Sequence, residues 1–175
     1  NNQSRGFRIK KIRALVLATI MMVSHIGIAS AEVKTYNVGY SIYQYTDNFM
    51  TLYRQEIEAY FKTLETDTVK YNVTMVDSKN DMAEQTNQIN SFIAQGVDVL
   101  IVNLVQSTAA ATVIDLAAAA DIPVVFINRE PTADDLAIWE KVCYVGADAR
   151  QSGTMQGQIV LNTESKGDLN GNGKV

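Results

Sequence analysis

From residue 34 onward, short β-rich runs and longer helical stretches alternate, and this alternation limits the available folds more than any other feature of the chain. Residues 36–42, "YNVGYSI", read as a first strand. Phe49, Leu52, Tyr53, Ile57, Tyr60, Phe61 and Leu64 then recur at helical spacing and define one apolar face, with Asp47 or Asn48 placed to cap the helix. Residues 73–76 read as a second strand. The stretch 81–95 carries Met82, Ile89, Phe92 and Ile93 on one side and meets Gly96 as its stop. Residues 97–102 are apolar enough to be buried on both faces of a sheet. Ser107 is placed to cap an Ala-rich helix running to Ala120, and Pro123 opens a fourth strand over 124–127. A polar loop rich in Asp and Thr leads to a fifth strand at 142–145, and another helix begins near Arg150. The fold class is therefore α/β, a doubly wound parallel sheet with helices on both faces. A chain of 175 residues suits one such domain.

The first thirty residues do not fit the alternation. Arg5, Arg8, Lys10, Lys11 and Arg13 precede a nearly unbroken apolar run at 14–29, and Ala29-Ser30-Ala31 follows as a small-residue box. Basic, apolar and small-residue regions in that order predict a secretory signal peptide over 1–31, cleaved after Ala31. A transmembrane anchor is the alternative, but the apolar run is short for a span of about 20 residues. The chain does not begin with Met, so its N-terminus is expected to be slightly incomplete. Without residues 1–31, ten basic residues face nineteen acidic ones, a net charge of −9. So acidic a surface argues against nucleic acid as a partner. The only histidine, His25, also lies in that segment, which leaves no imidazole for base catalysis or zinc. Cys143 is the single cysteine and has no internal disulfide partner; its apolar setting, Val142-Cys143-Tyr144-Val145, predicts a buried thiol.

In an open parallel sheet, ligands bind beyond the carboxyl ends of the strands. Tyr43, Tyr45, Asp47, Asn48 and Phe49 follow the first strand, Asn103 the third, Asn128, Arg129 and Glu130 the fourth, and Asp148 the fifth. No G-x-G-x-x-G or G-x-x-x-x-G-K-[ST] stretch follows any strand, so the glycines that admit phosphate are missing and a nucleotide enzyme is disfavoured. A neutral, hydroxyl-rich ligand suits this rim better, because carboxylates and amides pair with hydroxyls while an aromatic ring covers a sugar's apolar face.

Four stretches in order, "YSIYQYTDNFM", "VNLVQSTAAATVI", "IPVVFINREP" and "YVGADARQSG", closely resemble the periplasmic galactose/glucose-binding proteins. The resemblance covers about residues 35–175. It implies a periplasmic-binding-protein-like type I lobe at 32–167, one of two that close over D-galactose or D-glucose. It further implies a periplasmic location, delivery to a membrane ABC importer, in some members a chemotaxis receptor, and no enzymatic activity. By the same resemblance Asp47 accepts hydrogen bonds from sugar hydroxyls, Phe49 packs on one pyranose face and Asn103 bonds a further hydroxyl. The plainer readings stay open: Asp47 as a helix cap, Phe49 as core, Asn103 as a satisfied strand end. Gln106-Ser107 stands where the family often has Asp-Pro. The Trp, His, Asp, Arg and Asn that the family's second lobe contributes have no counterpart in the sequence.

The last eight residues, "DLNGNGKV", match the opening of an EF-hand-type loop over 168–175. Asp168, Asn170 and Asn172 occupy ligand positions 1, 3 and 5, Gly173 the turn position, and Lys174 position 7, where a backbone carbonyl serves. The resemblance implies calcium there in a full-length parent. An Asn/Gly turn without metal is the alternative, and this chain by itself is expected to hold no tight calcium site. A binding protein for another monosaccharide, such as ribose or xylose, and a sugar-sensing regulator lobe are the alternative functions. The regulator would need a basic helix-turn-helix in place of the apolar leader.

Overall fold

The computed structural model describes residues 32–173; the segment assigned above to a signal peptide, and Lys174, lie outside them. The alternation forms as read: β1 (Lys34–Ile42), α1 (Asn48–Thr63), β2 (Val69–Asp77), α2 (Met82–Gln95), β3 (Val99–Val102), a 3-10 turn (Ser107–Ala109) running into α3 (Ala110–Ala119), β4 (Val124–Ile127), α4 (Ala133–Leu136), β5 (Val142–Val145) and α5 (Ala149–Leu161). The strands are all parallel in the order β2-β1-β3-β4-β5. Successive strands move outward in opposite directions from the β1/β3 pair, so the topological switch lies there.

The period of two in the strands distributes side chains between two cores. Leu100 and Val102 of β3 and Val124 and Phe126 of β4 join Ile89 and Phe92 of α2 and Val113, Ile114 and Ala117 of α3. Ile101 and Ile127 point the other way and meet Val38, Tyr40, Ile42 and Met50. The central strands are thus buried on both faces, and helices cover each face. Gly39 is required where α2 crosses β1, because a Cβ there would sit 2.7 Å from the Phe92 ring. Gly96 closes α2 at φ 68°, a left-handed cap that glycine adopts without cost.

Several expectations need correction. The inner stripe of α1 is Met50, Tyr53, Ile57 and Phe61, with Met50 fully buried, while Phe49, Leu52, Tyr60 and Leu64 are exposed. The helix carries apolar residues around more than one face, so periodicity alone could not choose among them. Met82 is likewise exposed. Ser107 caps nothing: it opens the 3-10 turn, and neither that turn nor α3 has a side-chain cap. The polar loop after β4 contains α4, fixed by a reciprocal capping box between Thr132 and Asp135.

Cys143 is exposed rather than buried. Its cross-strand partner Val125 belongs to the α1-covered core, but β5 is the edge strand and that face is bare there, leaving Cys143 and Val145 in solvent. β2 is longer than read, because at the opposite edge its alternate residues, such as Lys70, Asn72 and Thr74, face water.

Candidate functional site

The turn after β1 is the most fully bonded part of the carboxyl rim. Asp47 is the N-cap of α1: its Oδ1 accepts the Met50 amide at 2.7 Å, filling one of the orphan donors of the first turn. Its Oδ2 accepts the Tyr43 hydroxyl at 2.6 Å. Those two bonds, the Tyr43 hydroxyl first, hold the Asp47 carboxyl below the usual carboxylate range, and the same contact raises the Tyr43 phenol. The Thr51 hydroxyl closes the turn onto the Tyr45 and Asp47 carbonyls at 3.1 and 2.9 Å. Phe49 projects from the α1 N-terminus, 60% exposed, its ring tilted against that of Tyr53 at 5.9 Å. Phe49 is therefore not core.

Asn103, directly after β3, is completely buried. Its amide nitrogen bonds the Ser41 carbonyl at 2.9 Å, fastening it to β1 at the switch point. Its side-chain Nδ2 meets the Met50 sulfur, while Oδ1 is buried without a partner. Gln85 of α2 holds the segment from below. Its Nε2 donates to the Asn103 carbonyl at 2.9 Å and to Ser41 Oγ at 3.1 Å, and its Oε1 accepts the Val105 amide at 2.8 Å. The sequence reading did not single out Gln85. The available signal was a polar residue in register with the apolar stripe of Ile89 and Phe92.

After β4, Asn128 adopts φ 62°, a left-handed conformation that Asn tolerates better than most residues, and the Arg129 amide returns to the Ile127 carbonyl at 2.7 Å. This sharp turn sends the Arg129 side chain back across the rim. Its guanidinium lies 4.1 Å from the Tyr43 ring centroid, and Nη1 donates to the carbonyls of Leu104, at 3.0 Å, and Val105. Glu130 is exposed. Asp148 caps α5 through the amides of Arg150 and Gln151 at 2.9 and 3.0 Å. A cleft of about 610 Å³ opens between Phe49, Tyr53, Asn128 and the segment from Val145 into α5. The structure thus places Phe49 on the wall of this cleft, two residues after the Asp47 cap, and leaves Asn103 fully buried against Met50.

The terminal loop folds onto its own aspartate. Asp168 accepts the Gly173 and Asn172 amides at 2.7 and 3.0 Å, which lower its carboxyl from the ordinary value. Gly173 has φ 75°, as the turn position of an EF-hand-type loop requires. The described part of the loop offers one carboxylate and two amide side chains, and Lys174 lies outside it.

The family model for the periplasmic binding protein domain matches residues 38–175. The D-galactose/methyl-galactoside binding periplasmic protein MglB of Haemophilus influenzae is 36% identical over 167 residues, covering 93% of this chain and 49% of that protein. The ribose import binding protein RbsB of Bacillus subtilis is 28% identical over 138 residues, covering 79% of this chain and 42% of that protein. Among solved structures, an ABC transporter solute binding protein from Bacillus halodurans with bound myo-inositol superposes with a TM-score of 0.60 at 28% identity, over 76% of this chain and 42% of that one. The chain spans about half the length of the curated relatives it matches.

Proposed function

This chain belongs to the periplasmic binding protein domain family, and from that premise we propose that it forms one lobe of an exported monosaccharide-binding protein serving an ABC importer. The observation that carries the reading is a fixed carboxylate, Asp47, two residues before an exposed aromatic ring, Phe49, that lines the rim cleft. A carboxylate accepts hydrogen bonds from sugar hydroxyls, and a ring covers the C–H face of a pyranose. Asn103 supports the same reading through its unpaired buried carbonyl oxygen, which a hydroxyl satisfies once the Met50 side chain moves aside. No chemistry is performed; affinity comes from burying the sugar between polar and aromatic surfaces.

D-Galactose or D-glucose is the favoured sugar, on the four motifs and on the relative named for D-galactose. A chemotaxis receptor is a further proposed partner. Calcium is proposed for the terminal loop, with Asp168, Asn170 and Asn172 giving side-chain oxygens and Lys174 its carbonyl. One carboxylate among these donors supports at most a weak site, with dissociation constants of order 10⁻⁴–10⁻³ M. A second reading, another monosaccharide or polyol, is favoured by the relatives named for ribose and the neighbour holding myo-inositol.

Saturation-transfer NMR with D-galactose, D-glucose, D-ribose, D-xylose and myo-inositol tests the proposal. Transfer to the hexoses that excess D-galactose competes away supports it. Stronger transfer to ribose or myo-inositol replaces the sugar, and no transfer to any of the five removes the reading.

A further inference from the structure

We propose that Tyr43 is a positioning residue for the Asp47 carboxylate, itself clamped by Arg129, so that one chain of contacts sets the geometry of three strand-end loops. The inference rests on the reading of Asp47 as a sugar acceptor. Asp47 Oδ1 is held by the Met50 amide at 2.7 Å and Oδ2 by the Tyr43 hydroxyl at 2.6 Å. With both oxygens engaged, the carboxyl plane cannot rotate, and each oxygen keeps a lone pair in a fixed direction for a ligand hydroxyl. An N-cap needs only the first of these bonds. The second is surplus to helix capping.

Tyr43 is in turn immobilised from above. The Arg129 guanidinium stacks 4.1 Å from the ring centroid and anchors through Nη1 to the carbonyls of Leu104 and Val105. A planar, delocalised cation is well suited to hold a phenol ring, because it keeps its charge at every relevant pH and draws density from the ring, which favours donation by the hydroxyl. The path runs from the loop after β3, through Arg129 after β4 and Tyr43 after β1, to the cap of α1. Tyr43 and Arg129 are the ionisable groups that face Asp47 along it. The carbonyls that Arg129 grips follow directly on Asn103, so displacement of Arg129 reaches the second proposed acceptor as well.

The test compares the full chain with Tyr43→Phe and Arg129→Lys. Phe keeps the ring and removes only the hydroxyl; Lys keeps the charge and removes the planar fork. Two readouts are taken: the titration of the Asp47 carboxyl carbon by NMR without sugar, and the D-galactose affinity as a function of pH. In Tyr43→Phe the Asp47 titration moves upward toward the ordinary carboxylate value. The acid limb of sugar binding moves with it, and affinity near neutral pH falls about 3- to 10-fold, the size of one hydrogen bond. Arg129→Lys shifts both in the same direction by a smaller amount. An unchanged Asp47 titration in a folded Tyr43→Phe variant overturns the proposal, whatever the sugar result. A shifted titration in a chain whose wild type ignores every sugar keeps the clamp but overturns its role at a sugar site, which separates the two failures.

Discussion

The Tyr43 hydroxyl donates to Asp47 Oδ2 across 2.6 Å, so the carboxylate that caps helix α1 is also tied to the end of strand β1. Two duties of Asp47, capping and charge, can therefore be separated by substitution. Asp47→Asn keeps a good cap acceptor, and its folding stability stays within about 0.5 kcal/mol of wild type. Asp47→Ala loses the cap and about 0.5–2 kcal/mol. Both variants lose the response to D-galactose. Urea unfolding beside an NMR sugar titration checks the pattern; an Asn variant that binds sugar as wild type does would show that the charge is not needed.

Acid should act through the same residue. The folded-state carboxyl of Asp47 is depressed, so its contribution to stability is complete above the ordinary carboxylate value and is lost as pH falls through the lower, folded value. Asp168 and Glu65 carry depressed carboxyls too, the latter through the Tyr71 amide first. Stability followed from pH 6 downward is expected to fall below the ordinary carboxylate range (roughly pH 4). Asp47→Asn should flatten that slope, and an identical slope in the variant would contradict the assignment.

Gln85 satisfies two backbone groups of the buried segment after β3, the Asn103 carbonyl and the Val105 amide. Gln85→Leu leaves both without partners, at about 1–3 kcal/mol for each orphaned group. Urea unfolding should show a drop of that size with little change in slope. A variant as stable as wild type would mean that water replaces the side chain.

Gly39→Ala places a methyl group 2.7 Å from the Phe92 ring, in a core with no slack. The expected loss is about 1–3 kcal/mol, the usual effect of overpacking. Thermal unfolding measures it, and the double variant Gly39→Ala with Phe92→Leu should recover part of the difference.

Cys143 stands on the uncovered face of an edge strand. Ellman's reagent should label one thiol per chain without denaturant. Labelling that needs urea would place the residue back under a helix.

Much of this fold is legible in the sequence because its signals are local. Asp47 and Gly96 mark helix ends through their own backbone chemistry, and 99–102 announces a strand covered on both sides by being apolar throughout. The failures concern neighbours that sequence does not supply. Helix α1 is apolar around more than one face, so only the sheet decides that Met50 goes in and Leu52 stays out. Cys143 has a strand's composition, yet its exposure depends on which strand is the edge. At the rim, Asp47 and Phe49 could be named from the sequence, but the clamp on Asp47 could not. Tyr43 and Arg129 lie far apart in the chain, and only the left-handed turn at Asn128 brings them into contact.

The central claim is that the carboxyl rim around Asp47 and Phe49 is half of a sugar site. Amide-resolved NMR titration of the full chain with D-galactose tests it most directly. Saturable shifts at Asp47, Phe49 and Asn128 are predicted, with a dissociation constant of about 1 mM or weaker, equivalent to at most about 4 kcal/mol. Micromolar affinity would show that this rim needs no second surface to close over the sugar. Silence at these amides at saturating sugar, or shifts confined to the opposite end of the sheet around Tyr36 and Tyr71, would contradict the claim.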